Sequence, residues 1–236
     1  MKNKILAIIP ARGGSKGIPG KNIKKINGKP LLEYTAEAIK KCNLIDRAIL
    51  STDDDEIINI GLKLGLEVPF KRPLDLALDD TPAFPVIKHA INTLEKIDGY
   101  KPDTILLLQP TSPLRTYKHI FEALDIYLNT NVDTVVSVTE VPHNMNPYSI
   151  MKLNKNGEIV PFLNYDENKN LRQFKPTYYA RNGAAIYITS YDTIMYHNTL
   201  YGKIIKPYFM KKEDSFDIDE EIDWDIVEYI LKQKEQ

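Results

Sequence analysis

Short, uninterrupted apolar runs alternate with longer amphipathic segments along most of this chain. Residues 5–9 (ILAII) and 104–108 (TILLL) are continuous apolar runs, typical of strands buried on both faces of a parallel sheet. Between them, residues 31–42 and 83–97 carry apolar side chains at helical spacing. This alternation predicts an α/β fold with a mostly parallel, doubly wound sheet.

The same pattern places the remaining elements of that fold. Further strands are predicted at 48–51, 67–70, 133–139, 184–189 and 204–210, and further helices at 53–64, 117–128 and 222–232. The acidic run at 53–56 (DDDE) is interpreted as capping of the helix that it opens. A length of 236 residues suits one α/β domain with a small addition.

Residues 140–180 interrupt the alternation and are rich in Asn, Pro and Lys. Two short apolar pieces, 148–153 and 159–163, flank Asn156-Gly157, which is a hairpin turn signal. We therefore predict an inserted β-hairpin arm. The chain then divides into a first part of the α/β core at 1–139, the arm at 140–180, and a second part of the core at 181–236.

Charge and cysteine content limit the class of protein. The 31 basic and 32 acidic side chains give a net charge of -1, which argues against a nucleic-acid-binding protein. The single Cys42 excludes an internal disulfide and favours a reducing cytoplasm. No apolar run approaches the roughly 18 residues that span a bilayer, so we expect a cytoplasmic protein without a membrane segment.

The loop after the first predicted strand combines flexible backbone with positive charge. Residues 8–22 read IIPARGGSKGIPGKN, in which glycines permit close backbone approach and Arg12, Lys16 and Lys21 supply cationic donors. This chemistry suits a polyanion such as a triphosphate. The loop matches neither the P-loop motif nor the G-x-G-x-x-G motif.

A pair of acidic residues near the end of the chain is a candidate metal site. Asp217 and Asp219 are separated by one residue, so both carboxylates project to the same side of an extended segment. Two oxygen ligands facing a phosphate-binding loop suit a Mg²⁺ ion that bridges a nucleotide triphosphate. The alternative is that DIDEEIDWD only supplies an acidic first turn to the last helix.

Two other loops follow or precede predicted strands. Residues 109–115 (QPTSPLR) come after a central strand and are interpreted as a rigid turn that can also contact substrate. Arg181 and Asn182 precede a strand, and either a turn or a ligand role explains them. The four histidines lack metal-ligand spacing, and Cys42 has no evident base partner.

Taken together, these segments resemble the acylneuraminate cytidylyltransferase family, which makes CMP-sialic acid and related CMP-nonulosonic acids. The resemblance rests on six segments in a shared order: IPARGGSKGIPGKNI, STDDDEI, KRPLDLALDDT, LQPTSPLRT, ARNGAAIYI and SFDIDEEIDW. It implies a nucleotidyltransferase fold, Rossmann-like, whose hairpin arm forms a homodimer and helps to complete the partner's sugar pocket.

The resemblance also implies a role for each matching residue. It assigns nucleotide binding to Arg12, Gly13, Ser15, Lys16, Lys21, Asn22 and Arg72, sugar binding to Gln109, Arg181 and Asn182, and Mg²⁺ to Asp217 and Asp219. Among these, Arg12, Lys21 and Asp217 are the catalytic residues. Two positions depart from the family pattern: Ser149 stands near the expected arm lysine, with Lys152 three residues on, and Phe84 replaces a small hydroxyl residue in the cytosine loop.

The reaction that the resemblance implies joins CTP to a nine-carbon keto-acid and releases pyrophosphate, with Mg²⁺ as cofactor. We hypothesise that Asp217 and Asp219 act through the metal to lower the pKa of the attacking hydroxyl, since no obvious general base is present. Whether the acid is of the N-acetylneuraminate or legionaminate type stays open. The alternatives are a CMP-Kdo-type transferase and a non-catalytic nucleotide-binding protein.

Overall fold

The structure of the chain is a computed structural model that describes residues 3–163, 173 and 175–234. The strands are β1 Ile5–Pro10, β2 Lys25–Ile26, β3 Lys29–Pro30, β4 Arg47–Ser51, β5 Thr104–Leu107, β6 Thr134–Glu140, β7 Met151–Leu153, β8 Ile159–Pro161, β9 Tyr179–Arg181, β10 Tyr187–Ser190 and β11 Ile205–Phe209. The helices are α1 Leu31–Lys40, α2 Asp55–Lys63, α3 Ala83–Asp98, α4 Tyr117–Leu128, α5 Tyr191–Met195 and α6 Glu221–Lys234. No helix in the described part of the chain has the length and apolar character to cross a membrane.

One sheet organises the fold, with strand order β11-β6-β10-β5-β1-β4 and β9 paired with β6. Strand β1 is parallel to both β4 and β5, and β11 is parallel to β6. Strand β10 runs antiparallel to both of its neighbours, as β9 does to β6. The predicted α/β fold with a mainly parallel sheet is confirmed, but β10, which was predicted as a strand at 184–189, and β9 run antiparallel to the other strands.

The apolar runs are continuous because the sheet is covered on both faces. Ala7 and Ile9 pack into a cluster that includes residues of α1 and α4, whereas Leu6 and Ile8 pack into a second cluster with α3. All four side chains are buried. Alternate residues of a strand point to opposite faces, so a strand between two helix layers needs apolar side chains throughout.

The predicted strand at 67–70 is wrong beyond its first residue. Only Glu67 bridges to Ile49, and it exchanges backbone hydrogen bonds with Ala48 and Leu50. Pro69 has no N–H group and cannot continue the ladder. The short elements β2, β3, β9 and α5 were not predicted by the hydrophobic pattern.

The predicted hairpin is present as β7 and β8, which pair antiparallel with Leu153 directly opposite Ile159. Gly157 takes a positive φ of 80° in the connecting turn, as the Asn-Gly signal predicts. Part of the predicted arm, residues 164–172 and 174, lies outside the described residues. The role of the hairpin in a dimer stays a prediction.

Candidate active site

A cleft of about 240 Å³ lies beside the ends of β1 and β5, where the sequence predicts a ligand. This is the edge at which parallel strands present the loops that follow them. The predicted site residues that line the cleft are Arg12, Ser15, Lys21, Asn22, Arg72, Gln109 and Asp219. Residues that are distant in sequence, and that were assigned from separate motifs, therefore meet in one place.

The loop after β1 is held in shape by its own hydrogen bonds. Asn22 donates from its side-chain amide to the Arg12 carbonyl oxygen across 3.0 Å, which closes the loop upon itself. Ile18 is fully buried in a cluster with Trp224 and Val227 of α6. These contacts fix the loop against the helix that follows the Asp217/Asp219 segment.

A glycine is required at position 17 because the Asp219 backbone approaches it closely. A Cβ atom built on Gly17 would lie 2.2 Å from the Asp219 carbonyl oxygen, well inside van der Waals contact. Any larger residue would push the loop after β1 away from the segment that carries Asp217 and Asp219. The glycine content of the loop therefore serves a close approach within the protein as well as an approach to ligand.

Each of the three predicted triphosphate cations has a protein partner. Arg12 forms an ion pair with Asp79, and the Lys16 ammonium nitrogen lies 2.7 Å from the other carboxylate oxygen of Asp79. Lys21 donates a hydrogen bond to the Ile218 carbonyl oxygen at 2.7 Å, and its ammonium nitrogen is 3.4 Å from a carboxylate oxygen of Asp219. The cations are thus positioned by acidic and carbonyl oxygens.

Arg72 is a buried guanidinium with unused donors. Its side chain lies 3.7 Å from the Asp53 carboxylate, yet its Nε and Nη2 atoms have no hydrogen-bond partner among the described residues. Burial lowers the pKa of Arg72. A buried donor without an acceptor is costly, so this group is suited to a ligand that brings hydrogen-bond acceptors into the cleft.

Asp53 contacts two predicted site residues, although the sequence interpretation gave it no role in the site. The acidic run was interpreted as helix capping, and Asp54 does cap α2 by accepting from the backbone N–H groups of Glu56 and Ile57. Asp53 instead accepts from the Gly13 backbone N–H at 3.1 Å and faces Arg72. The available signal was its position two residues after β4, a strand whose end is buried.

Arg115 is fully buried below the loop that carries Gln109. One of its terminal nitrogens donates to the carbonyl oxygens of Gln109, at 3.0 Å, and Ala185, at 2.8 Å, and the other donates to the Thr35 hydroxyl. Burial lowers the pKa of Arg115 to about 9, which leaves it charged at neutral pH. The residue was interpreted as part of a rigid turn, and the structure shows that its side chain joins that turn to α1 and to the segment just before β10.

The two acidic residues of the candidate metal site differ in environment. Asp219 is exposed, whereas Asp217 is partly buried and its Oδ1 atom has no hydrogen-bond partner among the described residues. Burial raises the pKa of Asp217, and the charge of Asp219 adds to the effect. An unpartnered carboxylate oxygen beside a second carboxylate fits a cation, and Mg²⁺ in nucleotide sites is held by one or two carboxylates together with substrate phosphates.

Within the described residues no group of three or more His, Cys, Asp or Glu side chains forms a metal cluster. A two-carboxylate site is compatible with this finding, because a Mg²⁺ ion takes its remaining ligands from water and phosphate oxygens. Position 183, beside the Asp217 carboxylate, requires a glycine. Its φ is 67°, and a Cβ atom there would lie 2.4 Å from an Asp217 carboxylate oxygen.

Five predicted residues lie outside the lining of the cleft: Gly13, Lys16, Arg181, Asn182 and Asp217. Asn182 is buried, accepts a hydrogen bond from Ser137 at 2.7 Å and donates to Ser215 at 3.0 Å. Arg181 is exposed and donates to the Tyr201 hydroxyl while its guanidinium lies over the Tyr201 ring. The Asn182 amide thus joins β6 to the segment before Asp217.

The sheet is mainly parallel, and one edge of it carries a cationic, glycine-rich loop and paired carboxylates. This arrangement is the one expected of a nucleotide-binding transferase. The chain matches the model of the cytidylyltransferase family over residues 6–236. It therefore belongs to that family.

Similar proteins of known name agree with this assignment. The chain is 35% identical over 98% of its length, and 97% of the relative's, to the post-translational flagellin modification protein B of Campylobacter coli. It is 31% identical to the CMP-N,N'-diacetyllegionaminic acid synthase of Legionella pneumophila, with 97% of each chain covered. It is 33% identical over 99% of its length to the N-acylneuraminate cytidylyltransferase of Escherichia coli, of which it covers 54%.

Among solved structures, the fold is similar to that of a CMP:2-keto-3-deoxy-manno-octonic acid synthetase complexed with CTP. The TM-score is 0.72, the sequence identity is 16%, and the match covers 98% of this chain and all of the other. At this identity the likeness establishes the fold. The family membership rests on the family model and the curated relatives.

Proposed function

We propose that this chain transfers CMP from CTP to the anomeric hydroxyl of a nonulosonic acid, of the N-acetylneuraminate or legionaminate type, and releases pyrophosphate. The observation that carries the proposal is that one cleft is lined by Arg12, Lys21, Arg72, Gln109 and Asp219. The names of the relatives at 31–35% identity support the substrate class.

The cations of the first loop bind the triphosphate in this proposal. Arg12 provides a planar set of donors that suits two phosphate oxygens, and Lys16 and Lys21 provide compact charges. The unused donors of Arg72 bind acceptors of the cytosine ring. Asp53 keeps Arg72 oriented and holds the Gly13 backbone at the start of the loop.

The reaction is a direct displacement at the α-phosphorus. The anomeric oxygen forms a bond to the α-phosphorus, the bond from phosphorus to the oxygen of pyrophosphate breaks, and the hydroxyl proton leaves to solvent. Negative charge increases on the departing pyrophosphate, so Arg12 and Lys21 stabilise the transition state more than the ground state. Gln109, which lines the cleft, orients the sugar.

Asp217 and Asp219 would hold Mg²⁺ in this proposal. When bound, the ion would neutralise phosphate charge and favour ionisation of the attacking hydroxyl. The fit rests on the unpartnered oxygen of Asp217 and on the two neighbouring carboxylates. Lys21 contributes by fixing the backbone between the two residues through Ile218.

Two other functions are compatible with parts of the site. The fold-level likeness to a CMP-octonic acid synthetase favours a CMP-Kdo-type transferase as the second candidate. A non-catalytic nucleotide-binding protein is the third candidate, and the presence of Lys21, Asp217 and Asp219 together favours an enzyme over it.

The deciding experiment measures pyrophosphate release from CTP and Mg²⁺ with a panel of sialic, legionaminic, pseudaminic and Kdo acids. The proposal expects release with at least one nine-carbon acid, and the best kcat/KM names the substrate. Release with Kdo alone would establish the second candidate. Binding of CTP without release on any acid would establish the third.

We also propose that the chain works as a cytoplasmic homodimer. The cytoplasmic placement rests on the single Cys42, which suits a reducing compartment. The hairpin supports the dimer because Met151, Leu153 and Ile159 are at least half exposed. Large apolar side chains clustered on a small hairpin mark an interaction surface.

A further inference from the structure

Asp79 binds two of the three cations that the proposed function assigns to the triphosphate. One carboxylate oxygen pairs with Arg12 and the other lies 2.7 Å from the Lys16 ammonium nitrogen. The carboxylate thus bridges the two side chains, as an oxyanion of a phosphate would. The sequence interpretation assigned no role to this residue.

The position of Asp79 in the fold explains how it reaches the loop. It lies between a short 3-10 turn, Leu74–Leu76, and the start of α3 at Ala83. Its neighbours Thr81 and Ala83 line the same cleft as Arg12 and Ser15. Asp79 therefore extends from the rim of the cleft to the cations.

We propose that the Asp79 carboxylate competes with the phosphate groups of the ligand for Arg12 and Lys16. This competition sets the affinity for CTP and eases the departure of pyrophosphate. Hydrogen bonds that Arg12 and Lys16 donate to Asp79 are not available to a ligand. A ligand whose phosphates contact both cations therefore binds fully only when it displaces the Asp79 carboxylate. The inference rests on the proposed function for the identity of the ligand.

The pairing is of a kind that a ligand can displace. About a third of the Asp79 side chain and most of the Lys16 side chain are exposed. Exposed ion pairs are weak because water and salt screen them. The hydrogen bond from Lys16, with a further contribution from Arg12, lowers the pKa of Asp79, so the competing group is charged at neutral pH.

The competition is selective for ligands with β- and γ-phosphates. CTP and pyrophosphate reach both cations and should be weakened alike by Asp79. CMP carries only the phosphate that stays with the nucleotide, so Asp79 should not affect its binding. This difference separates a competitor from a residue that shapes the cleft as a whole.

The test compares Asp79→Asn with Asp80→Asn. Asp80 is the adjacent residue, is exposed, and pairs with no cation within the described residues. Calorimetric titration with pyrophosphate, CTP and CMP, each with excess Mg²⁺, measures the affinities without turnover. Asp79→Asn should tighten pyrophosphate and CTP by roughly 3- to 10-fold and leave CMP unchanged, whereas Asp80→Asn should stay within twofold of the unaltered chain for all three.

Several outcomes would overturn the inference. Weaker binding of CTP by Asp79→Asn would show that Asp79 positions the cations for the nucleotide. Unchanged binding of all three ligands, or equal tightening by both variants, would remove the specific competition. Matching melting temperatures of the variants exclude misfolding as the cause.

The titration also separates this inference from the proposed function. If no acid in the panel is turned over but Asp79→Asn tightens pyrophosphate, the competition stands and the proposed reaction fails. If turnover is observed and Asp79→Asn leaves pyrophosphate affinity unchanged, the reaction stands and the competition fails.

Discussion

Lys21 donates a hydrogen bond to the backbone carbonyl oxygen of Ile218, 2.7 Å away, and thereby joins the loop after β1 to the segment before α6. Ile218 lies between Asp217 and Asp219, and its own N–H donates to the Thr111 carbonyl oxygen at 2.8 Å. Three loops that the sequence separates widely are therefore fixed at one point. The cation and the acidic pair form one unit.

We expect Lys21→Met to lower kcat by about 10²- to 10³-fold, because the variant keeps the apolar stem and removes a charge that stabilises the departing pyrophosphate. Steady-state pyrophosphate release measures the effect. Lys25→Met is the matched control, since Lys25 is an exposed lysine of β2. A Lys21→Met enzyme with undiminished kcat would remove Lys21 from the catalytic residues.

Asp217→Asn should remove Mg²⁺ binding without lowering the stability of the metal-free chain. Burial raises the pKa of Asp217, so the folded chain binds a proton there more readily than the unfolded chain does. Its contribution to stability is therefore fullest at low pH and declines as pH rises from the unfolded pKa through the raised folded pKa. At neutral pH with a chelator, Asp217→Asn should melt at or above the temperature of the unaltered chain.

The same variant should lose its response to Mg²⁺. Added Mg²⁺ should raise the melting temperature of the unaltered chain, since a ligand that binds only the folded state stabilises it, but not that of Asp217→Asn. Asp225→Asn, an exposed aspartate of α6, should respond normally. An equal Mg²⁺ response in all three proteins would place the metal elsewhere.

The sequence predicted the parts of the fold that depend on hydrophobic pattern. Strand β1 and helix α4 were identified because buried strands and amphipathic helices leave distinct periodicities. Strand β9 was missed because all three of its residues are exposed, and it forms only through pairing with β6. Pairing at a sheet edge depends on partners that are distant in sequence.

The motifs marked several residues that the structure brings together, whereas residues that only tertiary contacts bring to the cleft were overlooked. Arg12, Lys21 and Gln109 meet in the cleft as the resemblance implies. Asp53 and Asp79 were missed because an acidic residue in a loop has the same local signature whether it caps a helix or pairs with a cation. The role of Arg115 was missed because its side chain is hydrogen-bonded to Ala185, which precedes β10, and to Thr35 of α1, and no local pattern reveals these contacts.

Arg115→Met should weaken both folding and substrate positioning. The change leaves the Gln109 and Ala185 carbonyl oxygens without their donor, and we expect the free energy of unfolding to fall by about 3 kcal/mol. Urea denaturation measures this loss. The KM for the sugar acid should rise more than that for CTP, because Gln109 then moves relative to the cleft.

Two variants test the mechanism of that effect. Thr35→Val removes only the hydroxyl acceptor of Arg115 and should cost about 1 kcal/mol without changing either KM. Arg115→Lys keeps the charge and should restore part of the sugar KM. Equal increases in both KM values in Arg115→Met would indicate general loosening and would contradict positioning through Gln109.

The hairpin should hold two copies of the chain together through one apolar face. Leu153 and Ile159 lie opposite each other across β7 and β8, so their side chains share a face, and they are 71% and 66% exposed. The double substitution Leu153→Glu with Ile159→Glu places charge on that face, and we expect it to yield a monomer in sedimentation equilibrium. Lys155→Glu, in the turn of the same hairpin, changes charge away from the face and should remain a dimer. A double variant that stays dimeric would assign the interface to another surface, whereas a monomer that retains CTP binding but loses turnover would show that the partner chain contributes to the sugar site.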